Sequence, residues 1–567
     1  MKKIILGLNA IGLNTSASLI IDNKILCAVE EERLTRQKRT RKFPIRSINY
    51  CLDKAKIKLS DLSAIAISWN PTINLEKFNS YMSQNLNYIP SMLHSTINYL
   101  MKDQKINKDN DYFCQILKLG NKKELKVYYV SHHLSHASNF YFSPYSQASI
   151  LTLDGFGENE SMGFYNGGKN NIKKILTQNF PHSLGSFYST ITEFCGFKPQ
   201  GEEWKLMGAS PYGNNSKYYK LIRELVNLTD KGFELNLNYF NHYMFHRPNY
   251  FNDRLENYLK TKPNQNGNQL SKKYYDIAYA GQRVFEDIYY HLINLLYKKN
   301  RSENLIISGG CALNCVANGK ITSKTKFKNI FIPPMPDDSG AGLGAAYYVS
   351  NNILKIKKKF IMRHNYLGPK YSNNYIEKKL KKYLIKFTFH KNIIEQAVQS
   401  IIKGKIIGWF QGELEFGDRA LGNRSILADP RRADAKDKIN KKIKYREHFR
   451  PFAPAILEEK INDFFEKNEK SVFMEKALKI KKNKRNVIPS VTHVDGSGRL
   501  QTVSKKTNFK FYNLIDEFYK ITSIPILLNT SFNIQGEPVV CSIEDALKNF
   551  YLSGLDELYI GDYLIKK

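Results

Sequence analysis

His132 and His136, in the stretch His132-His133-Leu134-Ser135-His136, lie four residues apart, on one face of a helix, and suit a single metal ion. Histidines at this spacing also cap or pack helices, so the pair becomes a site only with acidic partners. Asp154, at the end of one strand, and Asp338, in the loop Asp337-Asp338-Ser339-Gly340 after a later strand, are placed to supply them. Two imidazoles with one or two carboxylates suit iron, manganese or zinc and leave positions open for phosphate oxygens. Cys311 and Cys315 share the four-residue spacing, but no second cysteine pair completes a set, and they read as helix packing.

The second concentration of chemistry is cationic. Arg419 and Arg424 lie within Gly417-Asp418-Arg419-Ala420-Leu421-Gly422-Asn423-Arg424-Ser425. Asp429-Pro430-Arg431, Lys444, Arg446, Arg450 and Pro451-Phe452-Ala453-Pro454 follow, and Arg499 lies in His493-Val494-Asp495-Gly496-Ser497-Gly498-Arg499. A solvated basic face accounts for lysines on a helix, but poorly for arginines interrupted by Gly, Pro and Phe, which fix backbone and exclude water. Arginine is the residue for planar, bidentate contact with phosphate or carboxylate. Leu528-Asn529-Thr530-Ser531-Phe532-Asn533 adds amide and hydroxyl groups at the end of an apolar strand, where donors to a phosphate or carbonyl oxygen are expected.

These residues need elements to hold them. The pattern predicts strands over 3–9, 17–21 and 25–30, with a hairpin turn at Asp22-Asn23-Lys24. A like unit recurs over 149–153, 161–165 and 172–176, with a glycine-rich loop at Asp154-Gly155-Phe156-Gly157. Such a duplication fits an actin-like fold whose halves each turn a hairpin loop toward a nucleotide; two unrelated hairpins are the plainer alternative. Further strands are expected over 305–308, ending in Gly309-Gly310, and over 330–334. Helices are expected over 312–319 and 341–346, the second rich in small residues. A lysine-rich stretch over 351–362 marks a domain boundary, and 74–123 reads as a helix-prone insertion.

At 567 residues the chain exceeds one hydrophobic core, and its 42% apolar fraction is enough to build two. Seven scattered cysteines without a CxxC pair argue against a secreted disulfide framework. Met1-Lys2-Lys3 before Ile4-Ile5-Leu6 imitates a signal peptide, but Asn9 and Asn14 interrupt the apolar run. A cytoplasmic protein without a membrane span is expected. The formal net charge of +34 draws anions. Much of it is lysine spread along the whole chain, and no usual nucleic-acid-binding motif accompanies it, which disfavours a nucleic-acid partner.

Taken together, HHLSHAS, GEEWKLMGASPYG, GGCALN, GDRALGNRSILADPR, REHFRPFAPA, HVDGSGRLQTV and LNTSFN occur in the order found in the O-carbamoyltransferases of the NodU/CmcH type, and the chain resembles that family over nearly its whole length. The resemblance implies an α/β protein with an actin-like, duplicated ribonuclease H-like first domain (1–355) and a YrdC-like α/β second domain (360–567). It implies that carbamoyl phosphate and ATP give carbamoyl adenylate in the second domain, and that the first passes the carbamoyl group to the hydroxyl of a small molecule; an amine acceptor is opened only by the departure from the family pattern at Leu13-Asn14. Carried over, Arg419, Lys444, Arg450, Arg499 and Ser531 are the catalytic set and, with Asn529, hold carbamoyl phosphate and ATP with its Mg2+. His132, His136, Asp154 and Asp338 hold a divalent metal, iron(II) in such relatives, and Gly309, Gly310, Asn314 and Lys205 face the adenylate. A homodimer is compatible with the resemblance.

One departure stands out: relatives carry a histidine before an Asp or Asn in the loop after the first strand, where this chain has Leu13-Asn14. That histidine is the natural general base for an acceptor hydroxyl. Two other readings compete: an enzyme of the threonylcarbamoyladenosine type acting on tRNA, and a non-catalytic nucleotide-binding relative.

Overall fold

Alternating apolar runs and short polar turns dictate the first sheet. Strands β1 (Ile4–Asn9), β2 (Ser16–Ile21) and β3 (Lys24–Glu30) open the chain, and Asp22 and Asn23 take the left-handed conformation that the β2–β3 hairpin requires (φ 47° and 64°). The computed structural model describes residues 2–71, 111–120, 123–168, 171–244, 247–356 and 359–567. β4 (Ala64–Ile67), β5 (Tyr112–Lys118) and β6 (Glu124–Val130) complete a six-stranded sheet ordered β3-β2-β1-β4-β6-β5. Of the helix-prone insertion expected over 74–123, the described stretch 112–118 is a strand, antiparallel to β6. Its β-branched and aromatic residues pair along an existing edge, which outweighs local helix preference. Residues 72–110 and 121–122 lie outside the described residues.

The second half repeats the first. β7 (Ala148–Leu153), β8 (Glu160–Gly167) and β9 (Ile172–Asn179) form an antiparallel meander, and a small antiparallel pair, β10 (Val226–Thr229) and β11 (Gly232–Leu235), follows. β12 (Asn304–Ser308) and β13 (Asn329–Phe331) then join parallel to β7, giving the order β13-β12-β7-β8-β9. The first sheet has the same logic, a meander whose first strand, β1, is extended by parallel β4 and β6. Two such sheets make the duplicated, actin-like arrangement, so the plainer reading of two unrelated hairpins falls away. The helix expected over 312–319 is broken into a 3-10 turn, Gly310–Leu313, and a single helical turn, Cys315–Asn318.

By contact the chain falls into two compact units: Met1–Cys27 with Arg41–Asn314 and Lys320–Met362, and Arg363–Lys567 with Ala28–Thr40 and Cys315–Gly319. The second unit is an α/β domain on a nine-stranded sheet. Its strands are β14 (Thr388–Phe389), β15 (Ile407–Phe410), β16 (Arg424–Ala428), β17 (Ala453–Leu457), β18 (Lys476–Lys479), β19 (Ser497–Val503), β20 (Ile526–Ser531), β21 (Glu557–Ile560) and β22 (Tyr563–Lys566), ordered β14-β22-β21-β15-β16-β20-β17-β19-β18. Both faces are covered: along β20, Ile526 and Leu528 enter one apolar core and Leu527 the other. Among the described residues, no helix is long and apolar enough to cross a membrane.

One helix of the first unit ties sheet to chemistry. Asp338–Tyr348 is built on Gly340, Gly342, Gly344 and three alanines, and lies backbone to backbone on its neighbours. A Cβ on Gly342 would stand 2.5 Å from Asn9 N on β1, and one on Gly344 would strike Ser135 O between the two histidines. Gly344→Ala is therefore expected to cost about 1–3 kcal/mol through overpacking, read as a lower Tm. Because the helix begins at Asp338, weaker divalent-metal affinity should accompany the loss of stability.

Candidate active site

The metal-ligand candidates follow the C-terminal ends of strands in both sheets of the first unit, the place where α/β sheets bind ligands. The helix His132–Ala137 follows β6, Asp154 directly follows β7, and Asp338 opens the helix after β13. One ligand atom from each of His132, His136, Asp154 and Asp338 lies within 4.8 Å of all the others. His132 Nε2 is 3.2 Å from His136 Nε2. Asp154 Oδ2 is 3.5 Å from the first and 3.2 Å from the second. Asp338 Oδ1 stands 3.6 and 3.8 Å away.

The electrostatics call for a cation at this point. Burial disfavours a charged imidazole, yet Asp154 and Asp338 outweigh it, raising His136 to about 9 and His132 in the same direction. Asp154 is held well below the usual carboxylate range, against its burial, by the same two histidines. Two carboxylates and two facing Nε2 atoms thus converge where a divalent ion would satisfy all four, so the donor set fits a metal. Outer contacts fix the ligands: Ser308 Oγ meets His136 Nδ1 at 3.2 Å, and Gly155 and Gly310 donate backbone N–H groups to Asp154. Glu158, on the loop before β8, accepts the backbone N–H of His132 at 3.0 Å.

Of the residues expected near an adenylate, Gly309 (φ 93°) and Gly310 close the β12 loop against Asp154, and a Cβ on Gly309 would strike Leu153 O. Asn314 exchanges hydrogen bonds with Gln282 of the helix Lys272–Lys299. Lys205 pairs with Glu202 at 2.6 Å. Asn14, at φ 53°, donates to Asp337, the neighbour of a metal-ligand candidate, and a Cβ on Gly12 would stand 3.1 Å from Asp338 Oδ2. The loop that lacks the histidine therefore borders the metal group.

In the second unit the arginines divide into two groups. Arg424 is fully buried, donates to the carbonyls of Gln411, Asn423, Pro369 and Gly412, and lies over the Phe410 ring, so it serves the fold. Arg431 is clamped bidentately on Asp429. The others gather with Lys444. Burial first, then Arg446, Arg450 and Lys38, hold Lys444 well below the usual lysine range. Burial and then Arg450 and Arg499 do the same to Arg446, and burial, Arg419 and Arg450 lower Arg499. Lys444 Nζ donates to Asn533 Oδ1 at 2.7 Å and to Ser531 Oγ at 3.3 Å, and also to Ser531 O. Asn529 is turned toward the same loop, donating to Ala420 O and Gln501. Arg446 Nη2, Arg499 Nε and Asn529 Oδ1 are buried without a hydrogen-bond partner among the described residues. Like charges gathered with two orphaned donors, Arg446 Nη2 and Arg499 Nε, suit an anion.

Sequence reasoning did not select Lys38, Arg446 or Ser308. Arg446 stood in the quoted arginine series. Lys38 carries no local signal, because its place in this unit follows from the fold.

The chain thus combines an actin-like unit that carries a candidate metal-binding group with an α/β unit that carries a cluster of cations. The family model for the carbamoyltransferase N-terminus matches residues 4–347 and that for the carbamoyltransferase C-terminus matches 398–567. The chain belongs to the carbamoyltransferase family and is a carbamoyltransferase. It is 36% identical over 566 residues to nodulation protein NolNO of Sinorhizobium fredii, covering 97% of this chain and 78% of that protein. It is 34% identical over 564 residues to an uncharacterized Methanocaldococcus jannaschii protein, covering 98% of each. Among solved structures, T. kodakarensis HypF overlaps 63% of this chain and 48% of its own, with 10% identity and a TM-score of 0.30.

Removing a ligand or its support should separate by magnitude. His136→Ala is expected to abolish stoichiometric binding of a divalent metal, and Ser308→Ala to weaken it by about 10–100-fold, both measured by titration calorimetry and metal analysis.

Proposed function

We propose that this carbamoyltransferase consumes ATP in two steps: activation in the second unit, transfer in the first. The observation that carries the reading is the cation group around the buried Lys444, with Arg446 and Arg499 each leaving a buried donor atom unpartnered. Such a group is costly until phosphate oxygens occupy it.

In the first step water cleaves carbamoyl phosphate to carbamate and phosphate. A carbamate oxygen then attacks the α-phosphorus of ATP, the bond to the β-phosphate oxygen breaks, and pyrophosphate leaves, giving carbamoyl adenylate. Arg419, Lys444, Arg450 and Arg499 hold the phosphate groups in this reading, with Mg2+ accompanying ATP. Ser531 Oγ and Asn529 orient the carbamoyl end.

In the second step an acceptor lone pair attacks the carbamoyl carbon, AMP departs, and the acceptor loses its proton. His132, His136, Asp154 and Asp338 would hold a divalent metal, iron(II) in our reading, which when bound supplies positive charge to the adenylate phosphate as a Lewis acid. Gly309 and Gly310 leave room for close backbone approach, and Asn314 and Lys205 serve the nucleoside part. Leu13 stands where a histidine would take the acceptor proton, and the Asn14 side chain is engaged with Asp337. The acceptor is therefore a small molecule whose hydroxyl meets another base, or whose amine is nucleophilic by itself.

Purified protein, reconstituted with iron(II) under low oxygen and given ATP and labelled carbamoyl phosphate without acceptor, should form carbamoyl adenylate and pyrophosphate. Arg450→Ala should abolish both while remaining folded. No adenylate from folded, metal-loaded wild type would defeat the reading. Leu13→His is expected to raise the transfer rate to hydroxyl acceptors by about 10²–10⁴-fold if a missing base limits that step. An unchanged rate and acceptor preference would exclude a missing base at this position.

A further inference from the structure

The segment Ala28–Thr40 lies in the sequence of the N-terminal family half, yet its contacts place it in the second unit. It carries a buried charge group that nothing in the two-step reaction uses. Glu30 and Arg33 are 3% and 4% exposed. Arg33 Nε stands 3.4 Å from Glu30 Oε2, and its Nη1 3.1 Å from Glu32 Oε1. Glu32 in turn accepts the Arg39 backbone N–H at 2.7 Å, closing the segment on itself.

Both members of the pair reach the backbone of the same residue, one at each of the two peptide units that flank its Cα. Glu30 Oε1 accepts the Gly417 N–H at 2.7 Å, and Arg33 Nη2 donates to Gly417 O at 3.0 Å. Gly417 has φ 125°, a conformation that only glycine adopts freely, and Asp418 and Arg419 follow it directly. The far end of this loop is held separately, with Glu415 Oε1 accepting the N–H groups of Leu421 at 2.7 Å and Asn423 at 2.9 Å.

The same segment holds a second loop. Arg36 donates to Pro538 O at 2.8 Å and Val539 O at 2.7 Å, and its Nε lies 3.2 Å from Asp545 Oδ1. Asn533, which accepts from Lys444, donates to Glu537 O next to that clamp.

We infer that the segment Ala28–Thr40 is a positioning strap for the anion site, with Glu30 and Arg33 setting the direction in which Gly417 delivers Arg419. This inference rests on the reading of Arg419 as a phosphate-binding residue. A buried ion pair is a weak source of stability, whereas its two directed bonds to the N–H and the C=O of one residue fix both peptides around Gly417 and so specify a loop conformation. The strap makes the anion site depend on residues nearly 400 positions away in the sequence.

The test uses the full chain without substrates, and reads hydrogen exchange over 413–424 together with calorimetric titration of inorganic pyrophosphate. In Glu30→Ala, amide exchange over 417–423 should accelerate, and pyrophosphate affinity should fall, each by about tenfold. Glu30→Gln, which restores an acceptor for Gly417 N–H, should recover most of both. Arg450→Ala should lose pyrophosphate binding while leaving exchange over 417–423 at the wild-type rate, which separates a ligand-contacting residue from a positioning one. If Glu30→Ala does not fold, Arg33→Lys, which keeps the charge and loses the reach to Gly417 O, should change both readouts in the same direction. Wild-type exchange and affinity in the folded Glu30 and Arg33 variants would overturn the strap. So would faster exchange with unchanged affinity. Accelerated exchange in a protein whose wild type binds no pyrophosphate would instead overturn the anion-site reading and leave the clamp standing.

Discussion

Buried charge without an equal countercharge is what the rest of this molecule is arranged to tolerate. In the second unit the buried Lys444, the half-buried Arg419, Arg446, Arg450 and Arg499, and the exposed Lys38 act on one another through their charges. In the first, two carboxylates and two imidazoles converge within 4.8 Å of one another. In the proposed function each group is the electrostatic image of its ligand: phosphates for one, a divalent cation for the other. Holding such groups in place before the ligand arrives removes reorganisation from the chemical step.

Rigid support follows from that requirement. The metal group depends on the small-residue helix Asp338–Tyr348, which fixes Asp338 against β1 and against the turn carrying His132 and His136. The cation group depends on backbone bonds from buried polar side chains, with Glu415 closing its loop from one side and Gln501 and Asn529 from beneath. In the cation group the positioning bonds run to main-chain atoms, which are the part of a loop that a ligand cannot pull away by rotating a side chain.

Much of this was legible in the sequence, and the reason differs from residue to residue. The four metal-ligand candidates could be named because His132 and His136 sit at helical spacing and Asp154 and Asp338 each follow an apolar strand. The duplicated sheet was legible because both meanders alternate and turn at glycine, asparagine or aspartate. Residues 112–118 were misread because pairing with β6, a partner adjacent in space, overrides helix preference. Arg424 and Arg419 look alike in one motif, yet one is consumed by four carbonyls and the other remains in the cation group; local sequence has no term for which neighbours are satisfied. Lys38, Glu30 and Arg33 were invisible as site residues because their partners stand hundreds of positions away.

The most direct test of the central claim is the thermal stability of Arg499→Met, with and without inorganic pyrophosphate. If the cations are held together against their own repulsion for a ligand, the ligand-free variant should have a higher Tm than wild type, since it removes a buried charge whose Nε lacks a partner. Wild type should gain about 2.7 kcal/mol at a hundredfold excess of pyrophosphate over its Kd, and the variant should gain little. A ligand-free variant that is less stable than wild type, with an undiminished response to pyrophosphate, would mean that Arg499 serves the fold and that the cation group is no anion site.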